Sequence, residues 1–319
     1  MRHLHFAILF LVIALNITAK EKEGYNPWYT GPIVTPSASN QPPGTANIQP
    51  YFYLQDNYGK YETNRKHEAI PDTMIYQCYT TLQPGITNWL DLTLGYGVSY
   101  KTKKSKDATT LSDLEVKLGF QILREEKNTA KPNIRFTLNE IFPTGKYNNL
   151  NPSKLGLDSG GAGSFDTHLC LIFSKIFYWL IEHPIDMRLA LQQNLPAKVS
   201  VKNFNTYGGG YGTKGKVTPA KYFTLYYAFQ FSFTQQWAFA TDFVYTTSNK
   251  TTFSGDPGLT TTGAVASNGS KKTSLISLAP CIEYSFNQDV GILGGVWFSV
   301  WGKNTAEFLI GTISLVANF

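Results

Sequence analysis

Residues 307–319 read EFLIGTISLVANF. One face of this stretch carries Leu309, Gly311, Ile313, Leu315, Ala317 and Phe319, and the residues between them fall on the other. A repeat of two residues predicts a β-strand. An unpaired strand with an apolar face invites aggregation in water, whereas in a closed barrel that face contacts lipid. The stretch therefore predicts the strand that closes a membrane-spanning barrel.

The terminal aromatic residue adds a second indication. A strand of alternating apolar residues that ends in Phe resembles the closing strand of bacterial outer-membrane barrels, which the barrel-insertion machinery reads. The resemblance implies two partners: that machinery, acting on the strand that ends at Phe319, and the lipid of the outer membrane.

The first residues of the chain predict export. Arg2 precedes an apolar core at residues 6–15, and Ala19 ends a plausible cleavage site, so residues 1–19 predict a signal peptide. No later stretch offers about 18 consecutive apolar residues, the length of a membrane-spanning helix. Strands are then the remaining way for the exported chain to cross a bilayer, and we expect the bacterial outer membrane as its location.

The composition excludes other classes. The 319 residues carry a net charge of +6, but only 16% are charged and 14% are aromatic. A nucleic-acid-binding protein would concentrate its basic residues, whereas here they are scattered or lie in solvated loops such as the one with Lys103, Lys104 and Lys106, so no nucleic-acid partner is expected. The cysteines, Cys78, Cys170 and Cys281, lie far apart without metal-ligand spacing. We therefore expect neither a disulfide framework nor a metal or cofactor.

Alternating segments recur from residue 48 to the end and predict a single antiparallel up-and-down barrel of about twelve strands. The predicted strands are 48–58, 73–86, 89–101, 111–124, 132–143, 164–176, 183–195, 218–234, 236–248, 272–286, 288–301 and 305–319. The strand at 288–301 has the weakest pattern, because it is apolar on both faces. Short and long connections alternate between these strands, except that the last long position holds only residues 302–304. This alternation places the short turns and both termini on the periplasmic side.

Aromatic residues cluster by strand end, as two interface belts would require. Those predicted at the periplasmic interface are Trp89, Trp179 and Trp237, and those at the opposite interface are Tyr100, Tyr222 and Tyr245. Residues 20–47 are rich in proline, which excludes a helix and pairing within a sheet. This segment is predicted to be a periplasmic strap or a plug in the barrel mouth, with a disordered leader as the alternative.

Three short motifs resemble one outer-membrane family. Ser112-Asp113-Leu114 opens a strand, Phe142-Pro143-Thr144-Gly145-Lys146 ends another, and the glycine-rich loop at 159–163 follows. Together with the turn at 85–92, they make residues 71–319 similar to the transporter-like family named after the meta-pathway of phenol degradation. The resemblance implies a membrane barrel and no phenol enzyme.

The inner faces of the predicted strands collect ionisable side chains, which are the candidate solute-binding residues of the lumen. They are Asp113, Glu115, Lys117, Arg135, Asp166, His168, Asp186, Arg188, Asp242 and Glu283. Mixed charges in a narrow barrel have two readings: a salt-bridged interior that holds the barrel together, or a selective aqueous path. We expect passive passage of small solutes, apolar or aromatic ones included.

Two other functions compete with passage. A surface barrel could use its outer loops for adhesion, and Asp166 with His168 invites comparison with a hydrolase. Nucleophilic catalysis needs a serine or equivalent within reach of the base, and no strand supplies an obvious one. The chain is therefore not expected to be an enzyme.

Overall fold

The computed structural model describes residues 25–127 and 129–319, so the predicted signal peptide at 1–19 lies outside the described residues. In chain order the strands of this part are β1 (Ala46–Tyr61), β2 (His67–Thr87), β3 (Leu90–Lys103), β4 (Lys106–Leu111), β5 (Leu114–Leu123), β6 (Asn133–Phe142), β7 (Asp166–Phe177), β8 (Ile185–Pro196), β9 (Val199–Lys202), β10 (Lys214–Thr218), β11 (Tyr222–Ser232), β12 (Trp237–Ser248), β13 (Thr252–Asp256), β14 (Thr273–Ser285), β15 (Val290–Lys303) and β16 (Thr305–Asn318). Within the described ranges, no helix is long and apolar enough to cross a bilayer.

Twelve of these strands form one closed antiparallel barrel. Each barrel strand pairs with the next in sequence, and β1 pairs with β16 to close the circle. At this seam the backbone amide of Ala46 donates to the Phe319 carbonyl over 2.7 Å, and the Phe319 amide donates back to Ala46 over 2.9 Å. The predicted all-β barrel of about twelve strands is confirmed, including residues 307–319 as the closing strand.

The outward face of the barrel is apolar and the inward face is largely polar. Phe52 and Ile313 are 51% and 56% exposed, although each lies in the middle of a long paired strand. Large apolar side chains that are exposed on the outer face of a barrel require lipid as their surroundings. Cys78, which pairs with Phe52, also lies in this wall, whereas Cys170 and Cys281 are buried inside.

The two ends of the barrel differ in the length of their connections. We call the end with the short connections and the strand termini Ala46 and Asn318 the turn end, and the opposite end the loop end. At the turn end, Trp237 packs on Tyr284 with ring centroids 4.6 Å apart. Tyr222, predicted in the opposite interface belt, instead faces the lumen, where its ring meets the edge of His168.

A second, three-stranded sheet stands on the loop end. Its order is β9, β10 and β13, which continue from β8, β11 and β12 of the barrel. Val199, Val201 and Val217 form its buried face and pack on Tyr147, Tyr207 and Phe253. We call this sheet and the loop at 144–163 the cap.

Lipid contact can be tested at Leu118, in the middle of β5, whose neighbours across the sheet are Leu92 and Leu138. Leu118→Arg should destabilise the barrel by about 2–4 kcal/mol, because a guanidinium enters the hydrocarbon layer. Urea unfolding of protein refolded into lipid vesicles measures the change. Leu118→Ala is the control for lost apolar bulk, and an arginine variant as stable as the alanine variant would contradict lipid contact.

Candidate functional site

The lumen contains the chain's own proline-rich segment. Residues 25–45, the plug segment, enter at the turn end, where the Trp28 amide donates to the Gln235 carbonyl over 3.1 Å. The segment leaves at the same end, where the Gly85 amide donates to the Thr45 carbonyl over 2.9 Å. A side chain at Gly85 would collide with the Pro42 carbonyl, which explains the glycine.

Two buried carboxylates hold the first half of the plug segment. Glu283 accepts hydrogen bonds from the Thr30 amide over 2.8 Å, the Thr30 hydroxyl over 2.9 Å and the Gly31 amide over 3.1 Å. Asp242 accepts from the amides of Val34 and Thr35 over 3.1 and 2.8 Å. Together they accept from four backbone amides and one hydroxyl of the plug, so these two side chains fix the plug backbone.

An ion pair holds the second half. Arg135 contacts Asp91 over 2.6 Å and donates to the Ser37 carbonyl over 3.1 Å. The other oxygen of Asp91 accepts from the Gln41 amide over 3.0 Å. Both members of the pair are buried, and each also binds the plug, so each charge has a partner of opposite sign in the interior.

Apolar contacts complete the attachment. Ile33 packs on Ala240, Ala279, Cys281 and Leu293. Ala38 packs on a second cluster made of Cys170, Ile172 and Ala190. Small side chains on the barrel wall leave the room that the plug occupies. Leu293 belongs to β15, so the plug also explains why that strand is apolar on both faces.

Above the plug segment, toward the loop end, the lumen is polar and aromatic. Lys117 contacts Glu115 over 2.7 Å, and Tyr79 donates to the same carboxylate. Two strands further along the wall, on β7, His168 lies 3.0 Å from Asp166. The rings of Tyr51 and Tyr53 stack on the inner face with centroids 5.6 Å apart. We call the part of the lumen into which these side chains project the upper chamber.

The structure places the ten predicted lumen residues in four groups. Arg135, Asp242 and Glu283 bind the plug, and Asp186 pairs with Arg188 over 2.8 Å beside it. Glu115, Lys117, Asp166 and His168 line the upper chamber. Asp113 does not line the lumen wall, because it lies between β4 and β5 and accepts from the Gly145 and Ala162 amides, each over 2.8 Å.

The sequence prediction missed Asp91 and Gln121 as plug-binding residues. Gln121 accepts from the Asn40 amide over 2.8 Å. Both residues alternate with the apolar positions of their strands, and this alternation places them on the inner face. Their partners could not be predicted from that pattern, because the plug segment lies far away in sequence.

The three motifs of the family resemblance meet at the loop end. Asp113 of the first motif binds Gly145 of the second and Ala162 of the third. Thr144 accepts from the Leu114 amide over 3.0 Å. The motifs therefore attach the loop at 144–163 to the barrel rim.

Asp158 fixes the same loop from within. It contacts Lys146 over 2.5 Å and accepts from the Asn151 amide over 3.0 Å. Burial raises the pKa of Asp158, but the ammonium of Lys146 and the Asn151 amide outweigh burial and hold the pKa below its ordinary value.

The arrangement around His168 differs from a catalytic dyad. Its Nδ1 lies 3.3 Å from the Asn139 amide nitrogen, and its Nε2 lies 3.0 Å from the Asp166 carboxylate. Both ring nitrogens thus face side chains other than a serine, threonine or cysteine nucleophile. Within residues 25–127 and 129–319, no group of three or more His, Cys, Asp or Glu side chains could hold a metal ion.

Comparisons with known proteins give a structural likeness only. No protein-family model matches the sequence, and no curated protein does either. An outer membrane channel from Pseudomonas putida superposes with a TM-score of 0.68 at 12% identity, over 90% of this chain and 100% of that chain. At this identity the likeness shows a shared barrel fold.

Two other solved barrels are less similar. The transport unit of the autotransporter AIDA-I from Escherichia coli superposes with a TM-score of 0.48 at 11% identity, over 88% of this chain and 92% of its own. The toluene transporter TodX from Pseudomonas putida gives 0.41 at 10% identity, over 87% and 89%. These scores are too low to support any argument about this chain.

The role of Glu283 can be tested by hydrogen exchange. Glu283→Gln removes the charge that accepts from Thr30 and Gly31, so the two amides should exchange at least ~10-fold faster. Mass spectrometry of the peptide that covers residues 28–35 measures the rate. Glu140→Gln is the matched control, because Glu140 binds the Thr167 hydroxyl and no plug residue. Equal protection in both variants would contradict the anchoring role.

The Asp158 contacts predict a pH dependence of the cap. The folded pKa of Asp158 is depressed, so its stabilisation is present above the ordinary value of about 3.9 and is lost as the pH falls through the folded value. Amide exchange at Asn151, corrected for intrinsic rates, should accelerate between pH 5 and pH 3 (about one unit either side of that value). Asp158→Asn should exchange fast at both pH values, and a wild-type rate there would contradict the prediction.

Proposed function

We propose that this chain is an outer-membrane channel for the passive passage of small solutes, with the plug segment as its gate. One observation carries the proposal: the polar upper part of the lumen is closed toward the turn end by residues 25–45, which are continuous with β1 and are held inside the lumen by hydrogen bonds, one shared ion pair and small apolar contacts. Contacts of this kind can break while the segment stays tethered to the barrel wall.

The orientation follows from the general build of outer-membrane barrels, in which short turns face the periplasm. The plug then lies on the periplasmic side, and the upper chamber lies beneath the extracellular cap. A solute from outside would pass the cap, enter the chamber and reach the plug. Residues 1–19 as a signal peptide belong to the same proposal, since export precedes insertion.

The chamber supports passage of uncharged solutes that have aromatic or hydroxyl groups. Its cations each have a carboxylate neighbour, as in the Glu115–Lys117 pair. Paired charges offer little net attraction to an ion, whereas tyrosine rings and hydroxyls can stack on and hydrogen-bond to a neutral molecule. The motifs at 112–114, 142–146 and 159–163 support membership of the transporter-like family that they resemble.

The plug segment can be locked in place by a disulfide between the native Cys281 and a cysteine introduced in the plug. Ile33 packs on Cys281, so Ile33→Cys in a background that carries Cys78→Ala and Cys170→Ala offers a single lumen disulfide. Under oxidising conditions solute uptake into proteoliposomes should fall to the lipid background, and a reductant should restore it. The reduced form of the same protein is the matched control.

Deletion of residues 25–41 gives the complementary test. Conductance in planar bilayers should rise several-fold, because the turn end of the lumen opens. Heat-modifiable gel mobility verifies that the shortened barrel still folds. If both the wild-type and the deleted protein show no conductance and no solute uptake, the channel function itself is contradicted.

A further inference from the structure

The loop end carries most of the unbalanced positive charge. Residues 197–221, between β8 and β11, contain five lysines and no Asp or Glu. The neighbouring connection at 249–272 contains three lysines and one acid, Asp256. The overall net charge of +6 is therefore concentrated where the cap meets its surroundings.

The three-stranded sheet of the cap presents part of this charge on one flat face. Lys202, Lys214 and Lys216 are exposed, whereas Val199, Val201 and Val217, which alternate with them, are buried. The exposed face also carries hydroxyl groups from Ser200 and Ser254, the two cross-strand neighbours of Lys216. The valine face packs on Tyr147 of the 144–163 loop and on Tyr207, so the lysine face has a fixed orientation.

The lysines are arranged at a cost to the sheet. Lys202 and Lys214 are directly opposite each other in the β9–β10 pairing, and like charges in that position destabilise a sheet. Asp256 lies on the other side of Lys214, but its carboxylate accepts from the Gly258 amide over 3.0 Å. None of the three lysines forms an ion pair with an acid of the described chain. An anion from outside would remove the repulsion.

The position of the sheet indicates which anion is available. β9 begins three residues after the end of β8, and β10 ends four residues before β11 begins. At about 3.3 Å per residue, the lysine face stands roughly 10–25 Å beyond the barrel strands. The sheet therefore extends β8, β11 and β12 beyond the lipid-facing wall, toward the layer of lipid headgroups.

We propose that the face formed by Lys202, Lys214 and Lys216 binds the phosphate groups of the anionic glycolipid that surrounds the barrel in the outer leaflet. Ammonium groups on neighbouring strands about 4.8 Å apart can contact one phosphate together, and the serine hydroxyls can bind its oxygens or the adjoining sugar. The inference rests on the outer-membrane location in the proposed function. It is independent of solute passage.

Binding of purified lipopolysaccharide to the detergent-solubilised full chain tests the proposal. The triple variant Lys202→Gln, Lys214→Gln, Lys216→Gln should bind roughly 100-fold more weakly than the wild type, since each lysine near an anionic surface contributes severalfold. The matched control carries Lys103→Gln, Lys104→Gln and Lys106→Gln on the β3–β4 hairpin and should retain most of the affinity. Equal losses in the two variants would overturn the site as a specific surface.

Two further measurements separate phosphate recognition from other causes. Lipopolysaccharide stripped of its phosphates should bind the wild type as weakly as the triple variant binds the intact lipid, and unchanged binding would overturn phosphate as the ligand. Lys214→Gln should unfold no more easily than the wild type in the absence of glycolipid, because it relieves the repulsion from Lys202. Lower stability would show that Lys214 is structural and would overturn its assignment to binding.

Solute passage gives an independent readout. Conductance of the triple variant in bilayers of zwitterionic lipid should equal that of the wild type, since none of the three lysines lines the upper chamber. A channel that fails to conduct in either form, yet binds glycolipid as described, would contradict the proposed function and leave the glycolipid site intact.

Discussion

Every buried backbone N–H of the plug segment needs an acceptor, and this constraint organises the lumen. A segment without secondary structure cannot satisfy its own backbone groups in a water-poor interior. Five positions of the segment have no backbone N–H because they are proline: Pro27, Pro32, Pro36, Pro42 and Pro43. Carboxylates of the barrel wall accept from five of the remaining amides, those of Thr30, Gly31, Val34, Thr35 and Gln41, which is why Asp91, Asp242 and Glu283 are buried without being isolated.

The same constraint divides the barrel into two functional halves. Toward the turn end, wall residues are either acceptors for the plug or small side chains that make room for it. Toward the loop end, the wall carries tyrosines and charge pairs that have no plug to contact. The proposed solute path therefore combines a lumen wall of paired side chains with a closure that rests on non-covalent contacts.

The sequence alone predicts the strands of the barrel wall and their two faces, but it does not predict the contacts between the wall and the plug segment. Alternation over two residues identifies both faces of a strand, so Leu309, Ile313 and Leu315 could be assigned to lipid from the sequence. The pairing of Glu283 with Thr30 could not, because no local pattern connects residues that lie 253 positions apart. One signal was present in β15, whose apolar inner face is explained only by an apolar partner such as Ile33. Tyr222 was assigned to the wrong face because strand-end position says nothing about which side of the wall a ring occupies.

The place of the plug within the chain has a kinetic consequence. Its contacts join the first described residues to β11, β12 and β14, which are among the last to be synthesised. Such contacts have high contact order, and their loop-closure entropy makes them slow to form. Because β1 directly follows the plug and pairs with β16, the barrel must close around the plug or admit it afterward through the turn end. If the plug arrives second, a newly closed barrel passes through an open-lumen intermediate.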